Sequence, residues 1–186
     1  MSEYFHRKNW VDSYIATTRD LLLKPGEFFA ALPETEHYTN SMLFLIITVS
    51  VPTLIIALGT LGASLLVAPL VWLMVLAGAW LWAWYMQWAV RVCCKIRLTT
   101  VQAFQICSYA NMPQLLVWVP LLNAVTGIWS LALMWIGLTR SVGVSSGKAL
   151  AILLIPFLLI MISGSILIAL LMTYAAQNGI SVPEVL

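Results

Sequence analysis

The sequence predicts an all-α integral membrane protein, with five transmembrane helices preceded by an amphipathic helix at the membrane interface. Three observations predict it. Hydrophobic residues make up 62% of the 186 and charged residues only 9%, whereas soluble domains carry roughly 25% charged residues. Residues 41–90 and 98–139 contain no Asp, Glu, Lys or Arg. Finally, all nine Lys and Arg residues fall where alternate connections would place them on one side of a membrane. Arg7, Lys8, Arg19 and Lys24 precede the first apolar run. Arg91, Lys95 and Arg97 follow the second, and Arg140 and Lys148 separate the fourth from the fifth. Basic residues resist translocation, so this asymmetry orients the N-terminus to the cytoplasm and the C-terminus outside.

The elements follow in order. Residues 1–40 form a cytoplasmic and interfacial segment. Within it, Trp10, Val11, Tyr14, Ile15, Thr18, Leu21 and Leu22 recur at helical spacing, opposite Asp12, Ser13, Ala16, Thr17 and Asp20. Such a helix over 10–23 would lie in the interface with Trp10 and Tyr14 at headgroup depth. Lys24-Pro25-Gly26 breaks it. A second short helix over 27–32 presents Phe28 and Phe29 to lipid or to the bundle, and Pro33 ends it. This leaves Trp10, Tyr14, Leu21, Leu22, Phe28 and Phe29 as candidate interfacial contacts. Six acids against four bases before residue 41 exclude a polybasic lipid clamp.

The membrane domain spans 41–176. A crossing needs about 20 helical residues, so the two charge-free stretches each divide into two spans. Gly59 and Gly62 mark the first turn, giving spans over 41–61 and 65–89. Pro120 and Asn123 mark the second, giving 101–119 and 122–139. The fifth span runs over 149–175 through Pro156, and 177–186 is an extracytoplasmic tail. The odd number of spans and the lack of an internal repeat argue against a duplicated transporter.

The third span is the most polar. Gln102, Gln105, Tyr109, Asn111 and Gln114 make it the candidate intramembrane site. Polar groups in hydrocarbon need partners, so these side chains must meet other helices or a wet cavity. Interhelical hydrogen bonding and a polar pathway are both open at this point. No Asp, Glu, Lys, Arg or His lies inside any span, which argues against an ion-coupled pump. His6 and His37 lie near Glu3, Glu34 and Glu36 without metal-ligand spacing, so no metal is expected. Trp80, Trp84 and Trp88 recur at every fourth residue; the last turn reads as an aromatic belt at the cytoplasmic interface, and the deeper Trp80 is expected to pack between helices. Cys93, Cys94 and Cys107 form no disulfide or metal framework. No nucleophile–base arrangement, cofactor motif or nucleic-acid signature is present, so the chain reads as non-enzymatic.

Several landmarks occur together. Leu22-Leu23-Lys24-Pro25 is followed by Phe28-Phe29 and Leu32. Thr100, Ala103-Phe104, Tyr109-Ala110 and Pro113 come next, then Trp129, Gly137 and Lys148-Ala149. Over roughly 15–175 the chain resembles the Yip family, the Ypt-interacting-protein domain. The resemblance implies five helices, a cytoplasmic N-terminus and a lumenal or extracytoplasmic C-terminus. Eukaryotic relatives are linked to vesicle trafficking and bind small GTPases of the Ypt/Rab type through a longer N-terminus with an Asp-Leu-Tyr-Gly-Pro motif. Here Asp20-Leu21 leads into Leu22-Leu23-Lys24-Pro25, so that motif is absent. The short N-terminus is similar to prokaryotic members and implies a bacterial inner membrane.

The expected role is membrane organisation or partner binding. The partners are the lipid bilayer and a membrane or cytoplasmic protein, a second copy of the chain included. The alternative is a small-solute channel lined by the third span. For the topology, a reporter fused after Leu186 is expected to read as extracytoplasmic, and reporters within 91–97 or 141–147 as cytoplasmic. A cytoplasmic C-terminus would remove one of the five spans.

Overall fold

The computed structural model describes residue 5 and residues 9–33, 38–60, 62, 66–119 and 121–177. The grouping of His6, Glu34, Glu36 and His37, the divider Pro120 and the tail from 178 onward lie outside the described residues. Among the described residues there are seven α-helices and no strand. They are α1 (Trp10–Leu23), α2 (Pro25–Ala30), α3 (Tyr38–Gly59), α4 (Ala68–Cys94), α5 (Thr100–Ala110), α6 (Asn123–Arg140) and α7 (Ser146–Gln177).

Among the described residues, three helices are long and apolar enough to cross a membrane: Tyr38–Gly59, Ala68–Cys94 and, within α7, Ser146–Ile166. The third predicted span departs from expectation. It is not one helix over 101–119 but α5 followed by a 3₁₀ turn, Met112–Leu116. The cause is local. Pro113 has no N–H to donate four residues back. The Asn111 side chain donates Nδ2–H to Cys107 O at 2.7 Å, beside its own backbone N–H at 3.2 Å. The chain then tightens, with Gln114 N–H on Asn111 O at 2.9 Å. The 11 residues of α5 rise about 16 Å, near half of a hydrocarbon core of about 30 Å.

The N-terminal break also differs. Pro25 opens α2 at its first position, where a missing N–H costs nothing, and Lys24 alone interrupts the two helices. The α4 helix runs past its predicted end to Cys94 and stops at Lys95, which takes a left-handed φ of 58°. This ending brings Arg91 and Lys95 near the end of the bundle that also carries α1, α2, the C-terminus of α6 and the N-terminus of α7. We call it the basic end.

Helix α5 sits at the centre. Its residues 103–110 are all buried, packed against α3, α4 and α6. The hydroxyls of α3 bond inside their own helix, Thr48 to Phe44 O at 2.8 Å, Ser50 to Ile46 O at 2.7 Å and Thr53 to Val49 O at 2.7 Å. An apolar environment can therefore take them in. The packing face of α4 is small, with Ala79, Ala83 and Ala89 buried, while Trp84 and Trp88 point outward. Trp80 packs on Phe104, ring centroids 4.9 Å apart. Small residues let helices approach closely where no water drives them together.

Two contacts hold the periphery. Gly137 of α6 faces both α5 and α2. A Cβ there would lie 2.6 Å from Ile106 Cγ2 and 3.3 Å from the Phe29 ring. On the other side, Pro156 in α7 leaves the carbonyl four residues back, Ile152 O, without its helical donor. The Tyr85 hydroxyl of α4 donates to that oxygen at 2.8 Å. Beyond this point the α7 side chains turn outward: Ala149, Ile152 and Leu153 are buried, whereas Leu154, Phe157, Leu158 and Leu159 are exposed. The close approach at Gly137 has a measurable consequence. Gly137→Val is expected to destabilise the detergent-solubilised protein by about 1–3 kcal/mol through overpacking. Unfolding that matches the parent would mean the three helices can separate without loss.

Candidate functional site

The polar residues of the third segment divide by position. Gln102 belongs to a helix cap. Its Oε1 accepts from Thr99 N–H at 3.2 Å, while its own backbone N–H donates to Thr99 Oγ1 at 3.2 Å. This reciprocal arrangement ties up donors that a helix start leaves open. The next residue of the cap, Thr100, donates to Gln87 Oε1 at 3.0 Å and so joins α5 to α4. Gln105 and Tyr109 point into the bundle and are buried. The Tyr109 ring lies between Phe28 at 5.1 Å and Phe44 at 5.0 Å, centroid to centroid.

Asn111 and Gln114, on either side of the helix break, line a different space. It is a cavity of about 540 Å³ walled by Val49, Thr53, Ala79, Trp82, Cys107 and Met134 among others. It lies between α3, α4, α6 and the 3₁₀ turn, in the half of the bundle away from the basic end. Ile56 and Val71 line it and are exposed, so it opens sideways between α3 and α4. The cavity is apolar with few polar groups, the composition of a binding pocket for an apolar or amphiphilic molecule. Phe44, Leu45, Met86 and Phe104, each fully buried, lie toward the basic end. The sequence reading treated the five polar residues as one site. The structure brings Asn111 and Gln114 together, assigns Gln102 to the cap and places Gln105 and Tyr109 in the packed core. The pattern Thr99-Thr100-Val101-Gln102 already carried the capping signal.

The N-terminal candidates divide as well. Helix α1 buries Ser13, Thr17 and Leu21, so Ser13 and Thr17 face the bundle and not the solvent side expected of them. Their small size lets α1 seat closely. Tyr14 anchors it, with its hydroxyl 3.0 Å from Thr48 Oγ1. Thr48 already donates its proton to Phe44 O, so the phenol is the donor. Burial pushes the Tyr14 phenol above its ordinary pKa, against a smaller opposing effect of its hydrogen bond to Thr48, which keeps that proton in place. Leu21, Phe28 and Phe29 are fully buried. They are core residues because α2 folds under α6 at Gly137. Trp10 and Leu22 remain on the surface, 55% and 45% exposed, beside Val11 and Ile15.

A family model, the Yip1 domain, matches residues 19–168. The chain belongs to the Yip1 family. No curated protein and no solved structure matches it. The Yip1 landmarks read from the sequence are mostly packing residues. Phe28, Phe29, Phe104, Tyr109, Ala110 and Pro113 are buried, and Gly137 is the point where α2, α5 and α6 meet. The sequence reading missed Val49, Thr53, Trp82 and Met134 as cavity walls, because an apolar side chain gives no sign of whether it faces a cavity or a neighbour. It also missed Tyr85, whose role was signalled only by the carbonyl that Pro156 frees. Two adjacent leucines of α1, Leu21 and Leu22, separate core from surface. Leu21→Asp is expected to destabilise the fold by more than about 3 kcal/mol, and Leu22→Asp by less than about 0.5 kcal/mol. Thermal unfolding in detergent measures both, and equal losses would put Leu22 in the core.

Proposed function

We propose that this Yip1-family membrane protein is non-enzymatic and acts in membrane organisation or in holding a partner protein. It crosses the membrane five times, with the N-terminus cytoplasmic and the C-terminus outside, in a bacterial inner membrane of prokaryotic-type organisation. The third crossing is the broken segment of α5 and the 3₁₀ turn. Irregular backbone at membrane depth is tolerated where protein buries it, and Met112 and Pro113 are buried. Helix α1 lies along the cytoplasmic surface. Support comes from the exposed set Trp10, Val11, Ile15 and Leu22 opposite the buried Ser13, Thr17 and Leu21. That exposed set and the neighbouring loops offer the contact surface.

One observation carries the choice over a solute channel. The cavity at Asn111 and Gln114 opens beside Ile56 and Val71, away from the basic end. Between it and the basic end lie Phe44, Met86, Phe104 and Tyr109, all fully buried, with no continuous polar lining. A channel would need such a lining from one face to the other. The test uses single cysteines at 102, 105, 109, 111 and 114 in a background lacking Cys93, Cys94 and Cys107, probed with a small water-soluble thiol reagent. Reaction at 111 or 114 from the outer side only, and none at 105 or 109, is the expected result. Reaction at 105 and 109 from both sides would overturn the proposal in favour of a pore.

A further inference from the structure

Two spaces beside the α6–α7 pair meet at one tryptophan. The first, of about 500 Å³, lies at the basic end and is lined by Gly26, Thr139, Arg140, Ser145 and Ser146. The second, of about 540 Å³, is lined by Ile128, Leu131, Ala132, Leu150, Leu153 and Leu154. Trp135 and Ser146 line both. The Trp135 indole donates Nε1–H to Ser146 O at 3.0 Å. Its ring is thereby fixed at the boundary between a polar cup and an apolar groove.

We infer that this composite space binds one phospholipid with an anionic headgroup. The phosphate sits against Arg140, and one acyl chain lies along the α6–α7 groove. Charge complementarity supports the headgroup. Arg140 is exposed and has no acidic partner among the described residues. The acid next to Gly26, Glu27, is held by Lys24 at 3.3 Å. A free guanidinium offers a planar pair of donors that matches phosphate oxygens. Dimensions support the tail. From Arg140 back to Ile128, α6 rises about 18 Å, close to one leaflet's share, about 15 Å, of the hydrocarbon core. Trp135 then stands at the depth where interfacial tryptophans collect, with its N–H bonded and its ring against the chain. A passing annular lipid would need no polar cup. A free phosphate ion would need no groove. The inference is independent of which protein the chain partners.

The test titrates the full chain in detergent with phosphatidylglycerol or phosphatidylcholine of identical acyl chains and counts retained lipids by native mass spectrometry. One phosphatidylglycerol should be held about tenfold more tightly than phosphatidylcholine, whose choline cation offsets the charge of the same phosphate and repels Arg140, the scale of one charge-assisted contact. Arg140→Gln should abolish that preference, and Lys148→Gln should leave it intact. Ala132→Trp, at an exposed position in the groove, should weaken both lipids. Thermal unfolding that matches the parent restricts the comparison to folded variants. Equal retention of the two lipids by the parent would overturn the inference. So would an equal loss of preference in Lys148→Gln, which means diffuse surface attraction, or displacement of the lipid by millimolar inorganic phosphate, which means an anion site without a tail.

Discussion

The Tyr109 ring, held edge-on by Phe28 and tilted against Phe44, joins three helices that are far apart in the chain. Much of the bundle depends on that meeting. Helix α5 has only 11 residues and ends in a turn whose backbone cannot bond in regular helical fashion. Lipid would leave that turn's polar groups unmet, so the segment is stable only when enclosed. The enclosure is supplied by α3 on one side, α4 on another, and by α2 tucked beneath α6. Gly137 permits that last approach by having no side chain where Ile106 and Phe29 come close. The aromatic cluster thus closes the bundle around its least regular part.

The same end is fastened by hydrogen bonds that each use a defined donor. Tyr14 donates to Thr48, and Thr48 donates to Phe44 O. This short relay ties α1 to α3 beside the aromatic cluster. Thr100 and Gln87 tie α5 to α4. In the other half, the cavity at Asn111 opens and the α7 side chains face outward. A closed basic end and an open far end give the protein two surfaces of different character. One is an anchored, partly charged face, and the other is apolar.

Much of this was legible in the sequence where a single physical rule decided. Charge-free length located α3, α4, α6 and α7, and periodicity gave α1 its bounds of Trp10 to Leu23. The rule that polar groups avoid lipid placed Gln105 and Tyr109 inward, where they lie. Legibility ended where two rules competed. At 101–119 hydrophobic length asked for a span while Pro113 and Asn111 asked for a break, and the break prevailed because Pro113 offers no helical donor and Gln114 N–H turns to Asn111 O. At Phe28 and Phe29 an interfacial position and a core position were equally compatible with the pattern, and only the tertiary approach at Gly137 decides. Gln102 was polar for a reason internal to its own helix. The cavity walls come from four separate segments, which no local pattern links.

One feature of α7 reaches further than its own geometry. Pro156 removes a donor, and Tyr85 supplies one to the carbonyl left behind, Ile152 O. The helix is therefore completed by a neighbour and not by itself. Any motion that withdraws α4 from α7 must leave that oxygen bare in an apolar medium, so the two helices are coupled as a latch, with the proline setting its strength. Pro156→Ala would give Ile152 O a donor within α7, so that its pairing would no longer depend on α4. The residue that interrupts α7 is the one that ties it to α4.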